Sequence, residues 1–575
     1  MPSSPNDAAA RSKPSRSSRS KWTAAAANLF QVPKDNEAAR TRKLGEVTAY
    51  AIKRDIAARG WPVGEVLGNQ VELMRHYNVS RSTLREAVRQ IERHGVARMR
   101  RGVGGGLVVQ QPARDSVVLA IASYLELAAV SLSELFEARE VVEGLLVGLI
   151  CERATDADLK RLGELLQGLL ASAADNMQLE ATRHLALRGA INSLSRNAAL
   201  SLLLESLYYV TSDMLTVEAD HPDVKMLIRE SRREKKELVE ALLGGDEMQA
   251  RMAMRASLDR SRKQAEQQLR RIRIKFEDAS ALTLGVTHDS PNAGNAAMKL
   301  GHRTSLRIAH DIAAAKSAPG TRIGAEPEVG ARYGVSRAVF REAVRTLELH
   351  SIVGVRRGLG GGLVVGKPDP AYTVELTSIY FQYARLKPRH FYELWRTIQT
   401  TAAQLAARSI DATGRRQLEL LLEQQRQAGR EDMLEIHGRV HEAISVLSGN
   451  RVLALFTKVM AEIAAYYSTR VPLPDIWKVF TDSHTELVGA ISRGEVALAR
   501  RLMTRHLKLV DAWYGEAPRS EWLQSLRDTE ELSPEWPAAP KVAATKKAAK
   551  KPPAVKKGPV RKPAVKKAAK KRSKS

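Results

Sequence analysis

Cysteine is almost absent from this chain: its 575 residues include one, Cys151, inside the apolar run VVEGLLVGLICERA. No intrachain disulfide can form, which excludes a disulfide-built secreted scaffold and fits a reducing cytosol. A single thiol in such a run reads as a small buried hydrophobe. Long apolar runs are missing too. The best candidate, VVLAIASYLELAAV, falls short of the ~18 residues a membrane span needs and carries Glu126. The N-terminal stretch MPSSPNDAAARSKPSRSSRSK has basic residues but no apolar segment, so no secretory signal is expected there. Acidic residues are in deficit. The net charge is +27, which points to a polyanionic partner.

That charge is unevenly spread. Lys541 to Ser575 hold 15 Lys/Arg and no Asp or Glu, in a Lys/Ala/Pro pattern with little to bury; disorder is the expectation. The composition resembles the tails of linker histones. The body retains +12, still basic.

The most telling presence is a repeat. VSRSTLREAVRQIERHGVARMRRGVGGGLVV (Val79 to Val109) returns as VSRAVFREAVRTLELHSIVGVRRGLGGGLVV (Val335 to Val365), without a gap. Ser336 lies 256 residues after Ser80. Solenoid periods run ~20–50 residues, so this is a copied domain pair rather than a solenoid. Each copy divides into a helix-helix-helix-hairpin part and a longer part of amphipathic helices. The expected boundaries are a basic arm (1–38), a first winged helix-turn-helix (39–112), a first helical domain (113–276), a linker (277–296), a second winged helix-turn-helix (297–368), a second helical domain (369–516) and a Lys-rich tail (517–575). The fold class is mainly α, with a small β-hairpin wing in each winged domain and all-α helical bundles between.

The third helix of each first part carries the chemistry. Ser80 caps it in copy 1, and Leu84, Val88 and Ile91 face inward at i, i+4, i+7. Arg81, Arg85 and Arg89 form a parallel stripe, repeated in copy 2 as Arg337, Arg341 and Arg345 behind the matching Ser336. Arginine forks on a capped helix can meet phosphates and guanine edges in a major groove. One such stripe alone reads as a solvated face. Here it occurs twice in register, each time before an Arg-Arg-Gly wing: Arg100, Arg101, Gly102 and Arg356, Arg357, Gly358. Glu86 and Glu342 stand where they could orient the arginines. The glycine strings (Gly104 to Gly106, Gly360 to Gly362) lack the Lys-Ser/Thr and the helix of a P-loop, so a tight wing tip is the better account.

A second constellation lies in copy 2. IHGRVHEAISVLSGN places His437 and His441 at i, i+4, on one face of one helix and close enough to share an ion. His484 opens HTELVGAISRG and His506 lies in MTRHLKLVDAW; an antiparallel hairpin could bring both to the pair. Glu442 follows His441, but the second His of an HExxH motif is missing, so an enzyme is not expected.

The VSR…REA…RRG.G pattern resembles the GntR family of bacterial transcription regulators, and the helical parts resemble that family's FCD ligand-binding domain. The resemblance covers about residues 42–513. It implies a DNA-binding regulator of transcription, a repressor relieved by a small organic acid. It also implies a divalent metal, Zn- or Ni-like, on the four histidines of the second helical domain, with a small carboxylate as its ligand; His437 takes the place of the family's Asp. The family's Ser-Glu-Arg before helix two is lacking: Asn69, Gln70, Val71 and Ala325, Glu326, Pro327 stand there. At the metal places copy 1 holds His184, Arg188, Lys235 and Ser257, which would not hold an ion. Either that pocket is vestigial or Arg188 and Lys235 grip an anion directly. Arg139 stands in the EAR run that often faces the ligand in this family. One working pocket, in copy 2, is expected.

The partners expected are double-stranded DNA and the carboxylate, with no membrane. Two heads on one chain suggest an intramolecular pseudo-dimer, with further homodimerisation left open. The expected place is the cytoplasm, associated with the nucleoid. The rival reading is an architectural nucleoid protein with little sequence preference.

Overall fold

The computed structural model describes residues 44–102, 104–171, 177–215, 224–277, 296–356, 358, 361–429, 432–468 and 477–516. The expected basic arm, nearly all of the expected linker, and the Lys-rich tail lie outside these residues.

Copy 1 opens with α1 (Leu44–Ala58), α2 (Gln70–His76) and α3 (Arg81–Arg93), then the antiparallel hairpin β1 (Ala97–Arg100) and β2 (Gly106–Val109). α3 begins where Ser80 Oγ accepts the amide of Thr83, 3.2 Å away. This is a simple cap, since position 83 carries no acid to complete a box. Leu84, Val88 and Ile91 are buried against α1, as their spacing requires. The wing tip needs glycine. A Cβ on Gly105 would stand 2.3 Å from the Arg100 carbonyl oxygen, and one on Gly361 2.4 Å from that of Arg356.

Seven helices follow: α4 (Arg114–Leu127), α5 (Leu132–Arg153), α6 (Asp156–Leu170), α7 (Met177–Leu194), α8 (Ala198–Leu215), α9 (Val224–Leu243) and α10 (Glu247–Glu277). Copy 2 repeats the plan with α11 (Ala296–Ala314), β3 (Arg322–Gly324), α12 (Glu326–Arg332), α13 (Arg337–Leu349), β4 (Val353–Arg356) and β5 (Gly362–Val365). Its helical part comprises α14 (Ala371–Tyr383), α15 (Pro388–Ser409), α16 (Ala412–Gln427), α17 (Met433–Leu447), α18 (Arg451–Ser468), α19 (Trp477–Ser492) and α20 (Val496–Glu516). β3 makes copy 2's wing a three-stranded sheet of order β3-β5-β4, where copy 1 keeps only a bridge from Val66 to Val108. Cys151 is half-buried against the helical core.

One apolar core runs through both helical domains. The contacts across it are reciprocal. Asn197 Oδ1 caps α8 while its Nδ2 donates to the His390 carbonyl oxygen (3.1 Å) and Glu393 Oε2 (2.8 Å). Asn450 Oδ1 caps α18 while its Nδ2 donates to the Glu134 carbonyl oxygen (3.0 Å) and Glu137 Oε2 (2.8 Å). Residue i of one copy meets j of the other, and the converse holds, which is the mark of a two-fold interface. Arg153 pairs with Glu393, and Arg451 with Glu134 at 2.6 Å.

The heads are seated crosswise. Ile379 and Tyr383, on the first helix of the second helical domain, pack into the core of head 1. Leu127, on the first helix of the first helical domain, is buried in the core of head 2. Polar contacts follow the same exchange: Lys53 and His94 meet Glu375, and His302 Nε2 lies 3.3 Å from Glu126. Periodicity shows which face of a helix is apolar but not which copy covers it, so the exchange has no local signal in the sequence.

Candidate DNA-reading heads and sensor pockets

Arg81, Arg85 and Arg89 are exposed along α3, as are Arg337, Arg341 and Arg345 along α13. Arg100, Arg101 and Arg356 are exposed on the wings, and Gly102 and Gly358 turn there with φ of 98° and 101°. Arg357 lies outside the described residues. Ser336 caps α13 through the amide of Val339 at 3.4 Å. Glu86 and Glu342 do not orient the stripes. Each lies across a glycine of the head's first helix, where a Cβ on Gly45 or Gly301 would come within 2.8 Å of the carboxylate side chain. A helix-helix contact this close packs these stems across the glycines.

The acid that does engage a stripe is Glu326, whose Oε1 accepts from Arg341 Nε at 2.8 Å. In copy 1 the corresponding place is Gln70, beside an Asn69–Glu72 capping box on α2. Among the described residues, the stripe of head 2 therefore has one guanidinium held in an ion pair where the stripe of head 1 has none. Both recognition helices end near one tyrosine. His94 closes α3 and stacks on Tyr372 at 5.3 Å, and His350 closes α13 with its ring 5.8 Å from the same side chain. Burial depresses both imidazoles, His94 to about 3 and His350 to about 4.

In the second helical domain α17 presents His437 and His441, α19 His484 and α20 His506. All four are buried, and their ligand nitrogens lie within 4.8 Å of one another. Neighbouring side chains fix the tautomers. His441 Nδ1 donates to Gln399 Oε1 (3.0 Å) and His484 Nδ1 to Gln425 Oε1 (2.9 Å). His506 Nδ1 donates to Ser483 Oγ (2.7 Å), whose own proton goes to the Phe480 carbonyl oxygen (2.8 Å). With each Nδ1 carrying the hydrogen, three bare Nε2 lone pairs converge. His506 Nε2 is 3.2 Å from both His441 Nε2 and His484 Nε2. Buried lone pairs at that range repel unless a cation stands among them. His437, stacked on His484 at 4.7 Å, has a buried Nδ1 without a hydrogen-bond partner. Burial lowers the basicity of all four rings, His437 to about 4, and so keeps them in the neutral form that ligates. The donor set fits a divalent ion that favours imidazole. Among the described residues this is the one cluster of its kind.

The same place in copy 1 is chemically different. His184 Nε2 lies 3.1 Å from Glu180, and Ser257 Oγ donates to Glu234 at 2.7 Å. The Arg188 guanidinium lies 4.7 Å from the ring centre of Tyr208, and that of Arg139 5.0 Å from it. Arg139 Nε donates to buried Glu143 at 2.8 Å. Lys235 sits deep among them, with its pKa lowered to about 8 by burial first and by Arg188 next. Gln399, Gln425, Ser483, Glu143 and Tyr208 were not singled out from sequence. The available signal was a polar residue on an apolar helix face, as at Gln399 in TIQTTAAQLAA.

Paired winged heads carrying arginine-lined helices, joined to all-helical pockets with a ligating cluster, define a DNA-binding regulator with attached sensor domains. Residues 44–106 and 301–362 match the family described as bacterial regulatory proteins, gntR family, and residues 134–260 and 390–509 match the FCD domain. Together these matches take in about two thirds of the chain, which belongs to the gntR family and carries its winged and FCD domains twice, in tandem.

The chain is similar to RmpR of Mycobacterium gastri (27% identity; 30% of this chain, 64% of that protein). It is also similar to the HTH-type transcriptional repressor NanR of Cronobacter sakazakii (29%; 24% and 53%) and to the Uxu operon regulator of Haemophilus influenzae (24%; 36% and 81%). The matched stretch thus spans less than two thirds of the first two. Among solved structures, Streptococcus agalactiae GntR is similar at 22% identity over 37% of this chain and 99% of that one, with a TM-score of 0.30. These families and relatives are regulators, not enzymes. No helix among the described residues is long and apolar enough to cross a membrane.

Proposed function

We propose that one chain is a complete two-headed regulator of transcription, an intramolecular pseudo-dimer whose heads read two half-sites of an imperfectly symmetric operator. The observation that carries this is the pair of serine-capped arginine helices ending on His94 and His350 against one Tyr372. That shared contact sets the spacing between the heads. Tethering raises the effective concentration of the second head once the first has bound. The heads differ on their outward faces at Ser82/Ala338 and Thr83/Val339, so the half-sites differ as well, while Leu84/Phe340 differ only in the buried core. The tail adds phosphate attraction without sequence preference.

The second helical domain is the sensor. His437, His441, His484 and His506 would hold a Zn- or Ni-like ion, which when bound supplies a positive centre for the carboxylate of a small organic acid. Gln399, Gln425 and Ser483 hold the imidazoles in the ligating tautomer. Trp395, its ring 5.4 Å from His441, walls the site. Ligand binding repacks this domain. Because α14 belongs to it and also fills the core of head 1, the repacking moves a head of the other copy. Release from the operator, and so relief of repression, is the expected response.

Selection from random duplex DNA, followed by the mass of the complex on the enriched site, tests this reading. A motif with two related halves occupied by one chain is expected. No enriched motif would leave an architectural protein instead, and two chains per site would remove the pseudo-dimer.

A further inference from the structure

Beyond the Arg-Arg pair, each wing carries one more arginine, and the two heads place it differently. In head 1, Arg98 on β1 stands opposite Val108, and Val66 closes the row through its bridge to the same valine. In head 2 the matching row is Gly354, Val364 and Arg322. Residues opposite one another across antiparallel strands share one face of the sheet. Here it is the outward face, since Leu107 and Val109, the neighbours of Val108 on β2, are buried in the core of the head. The arginine has therefore moved from one edge of the wing to the other, from the β1 side in head 1 to β3 in head 2. Strands lie about 4.8 Å apart, so two strand spacings displace the charge by about 10 Å.

The displaced arginine leans on the wing turn. Arg322 is exposed, and its Nε donates to the Gly361 carbonyl oxygen at 3.3 Å. In head 1 the turn is reached from the other edge, by Arg100 Nη2 on the Gly104 carbonyl oxygen at 3.0 Å. Among the described residues neither Arg98 nor Arg322 is in an ion pair, whereas Arg341 on the recognition helix of head 2 is. A charge on an edge strand can serve only to keep the sheet from pairing with another chain. Head 1 does without such a guard at the same edge, where Val66 stands 37% exposed. The fold itself therefore does not require Arg322.

We propose that Arg322 is a contact of head 2 with the phosphate backbone of duplex DNA, made from the edge of the wing opposite to the one Arg98 uses in head 1. A guanidinium fork beside a wing turn suits the paired oxygens of a phosphate. The head whose recognition helix has an arginine held by Glu326 thus draws a phosphate contact from its third strand. The two wings then touch phosphates that the two-fold axis of the operator does not relate. Phosphate contacts fix register rather than read bases, so the offset gives the chain a preferred direction on a nearly symmetric site. The assignment to half-sites rests on the two-headed reading above; the contact itself does not.

The test uses the full chain on random duplex DNA and on the enriched operator. Arg322→Val installs the residue that head 1 carries at the same bridge, so the sheet is kept; an equal Tm checks this, and Arg322→Gln serves if the valine variant melts lower. On random duplex the slope of log K against log salt should become shallower by about 0.9, as for one lost phosphate contact. On the operator, ethylation of single phosphates should reveal one position in a half-site that penalises the parent chain but not the variant. Arg98→Gly should erase a position in the other half-site, and the two should not be mirror images. Adding Gly354→Arg to Arg322→Val should restore the slope and move the sensitive phosphate to the mirrored position, since a Cβ at Gly354 would meet only Val364 Cγ2, at 3.7 Å. An unchanged slope in both Arg322 variants would overturn the contact, and sensitive phosphates related by the two-fold axis would overturn the offset. If no operator is enriched, the half-site assignment falls with the two-headed reading, while the slope on random duplex still decides the contact.

Discussion

The two helical domains share a fold, a core and a reciprocal interface, yet their pockets carry different chemistry. In the second, four buried imidazoles converge, three of them with bare Nε2 lone pairs turned toward one another. In the first, the guanidiniums of Arg139 and Arg188 lie over the Tyr208 ring, and Arg139 is bonded to buried Glu143. The backbone scaffold is the same, so the contrast comes from a few side chains. Arg188 for His441 and Glu143 for Gln399 put charged side chains where the other copy has neutral ones. Duplication inside one chain allows this, because the second copy preserves the fold of the pair while the first one's pocket changes.

The sharpest way to break that contrast is to remove a ligand. His506→Ala should take bound metal from one ion per chain to none by elemental analysis, whereas His184→Ala should change nothing. Gln399→Ala removes a positioning group only, and about a 10–100-fold loss of metal affinity is expected. Equal sensitivity of the two copies would erase the distinction.

Next comes the interface that both domains share. Asn197→Ala and Asn450→Ala each leave a cap and two acceptors across the copies unmet, and each should cost about 1–3 kcal/mol in urea unfolding. If the copies were independent beads, the substitutions would lower only the cap contribution, and equally so in separated halves.

The junctions between heads and helical domains carry a pH dependence. His94 and His350 have folded pKa values lowered to about 3 and about 4, below the ordinary 6.5. Glu375 lies 3.3 Å from His94 but is already bonded to Lys53, so burial dominates. The unfolded chain therefore takes up the protons first. Stability is fully present above about pH 6.5 and falls as pH drops toward 4, by up to about 1.4 kcal/mol per pH unit for each histidine. Denaturant midpoints from pH 7.5 to 5 should show this slope, and His94→Asn with His350→Asn should make it shallower, the remainder coming from the other buried histidines.

The smallest effect separates the heads. Glu326→Gln frees Arg341 on head 2, and the slope of log K against log salt for random duplex DNA should steepen by about 0.9. The same slope in wild type and variant would show that the pair does not restrain the stripe.

How much of this was legible depends on range. The arginine stripes, their serine caps and the wings follow from local spacing, and repetition in register lifted them above a solvated face. The quartet was legible as two histidines one turn apart plus two more on a hairpin. Its anchors were not, because Gln399, Gln425 and Ser483 come from three helices whose meeting no periodicity records. The crosswise seating of the heads was illegible for the same reason. Glu86 and Glu342 misled because helical spacing puts them near the arginines, while the glycines at Gly45 and Gly301, on a different helix, let that helix close over them. For Arg188 and Lys235, the sequence favours a vestigial pocket over a direct grip on an anion.

The account stands or falls on the two arginine helices acting together from one chain. Affinity for the enriched operator should be measured at one fixed salt concentration for the full chain and for the variant with Arg81, Arg85, Arg337 and Arg341 all replaced by alanine. Specific binding should fall at least a hundredfold while binding to random duplex falls far less; an undiminished preference for the operator would contradict the account.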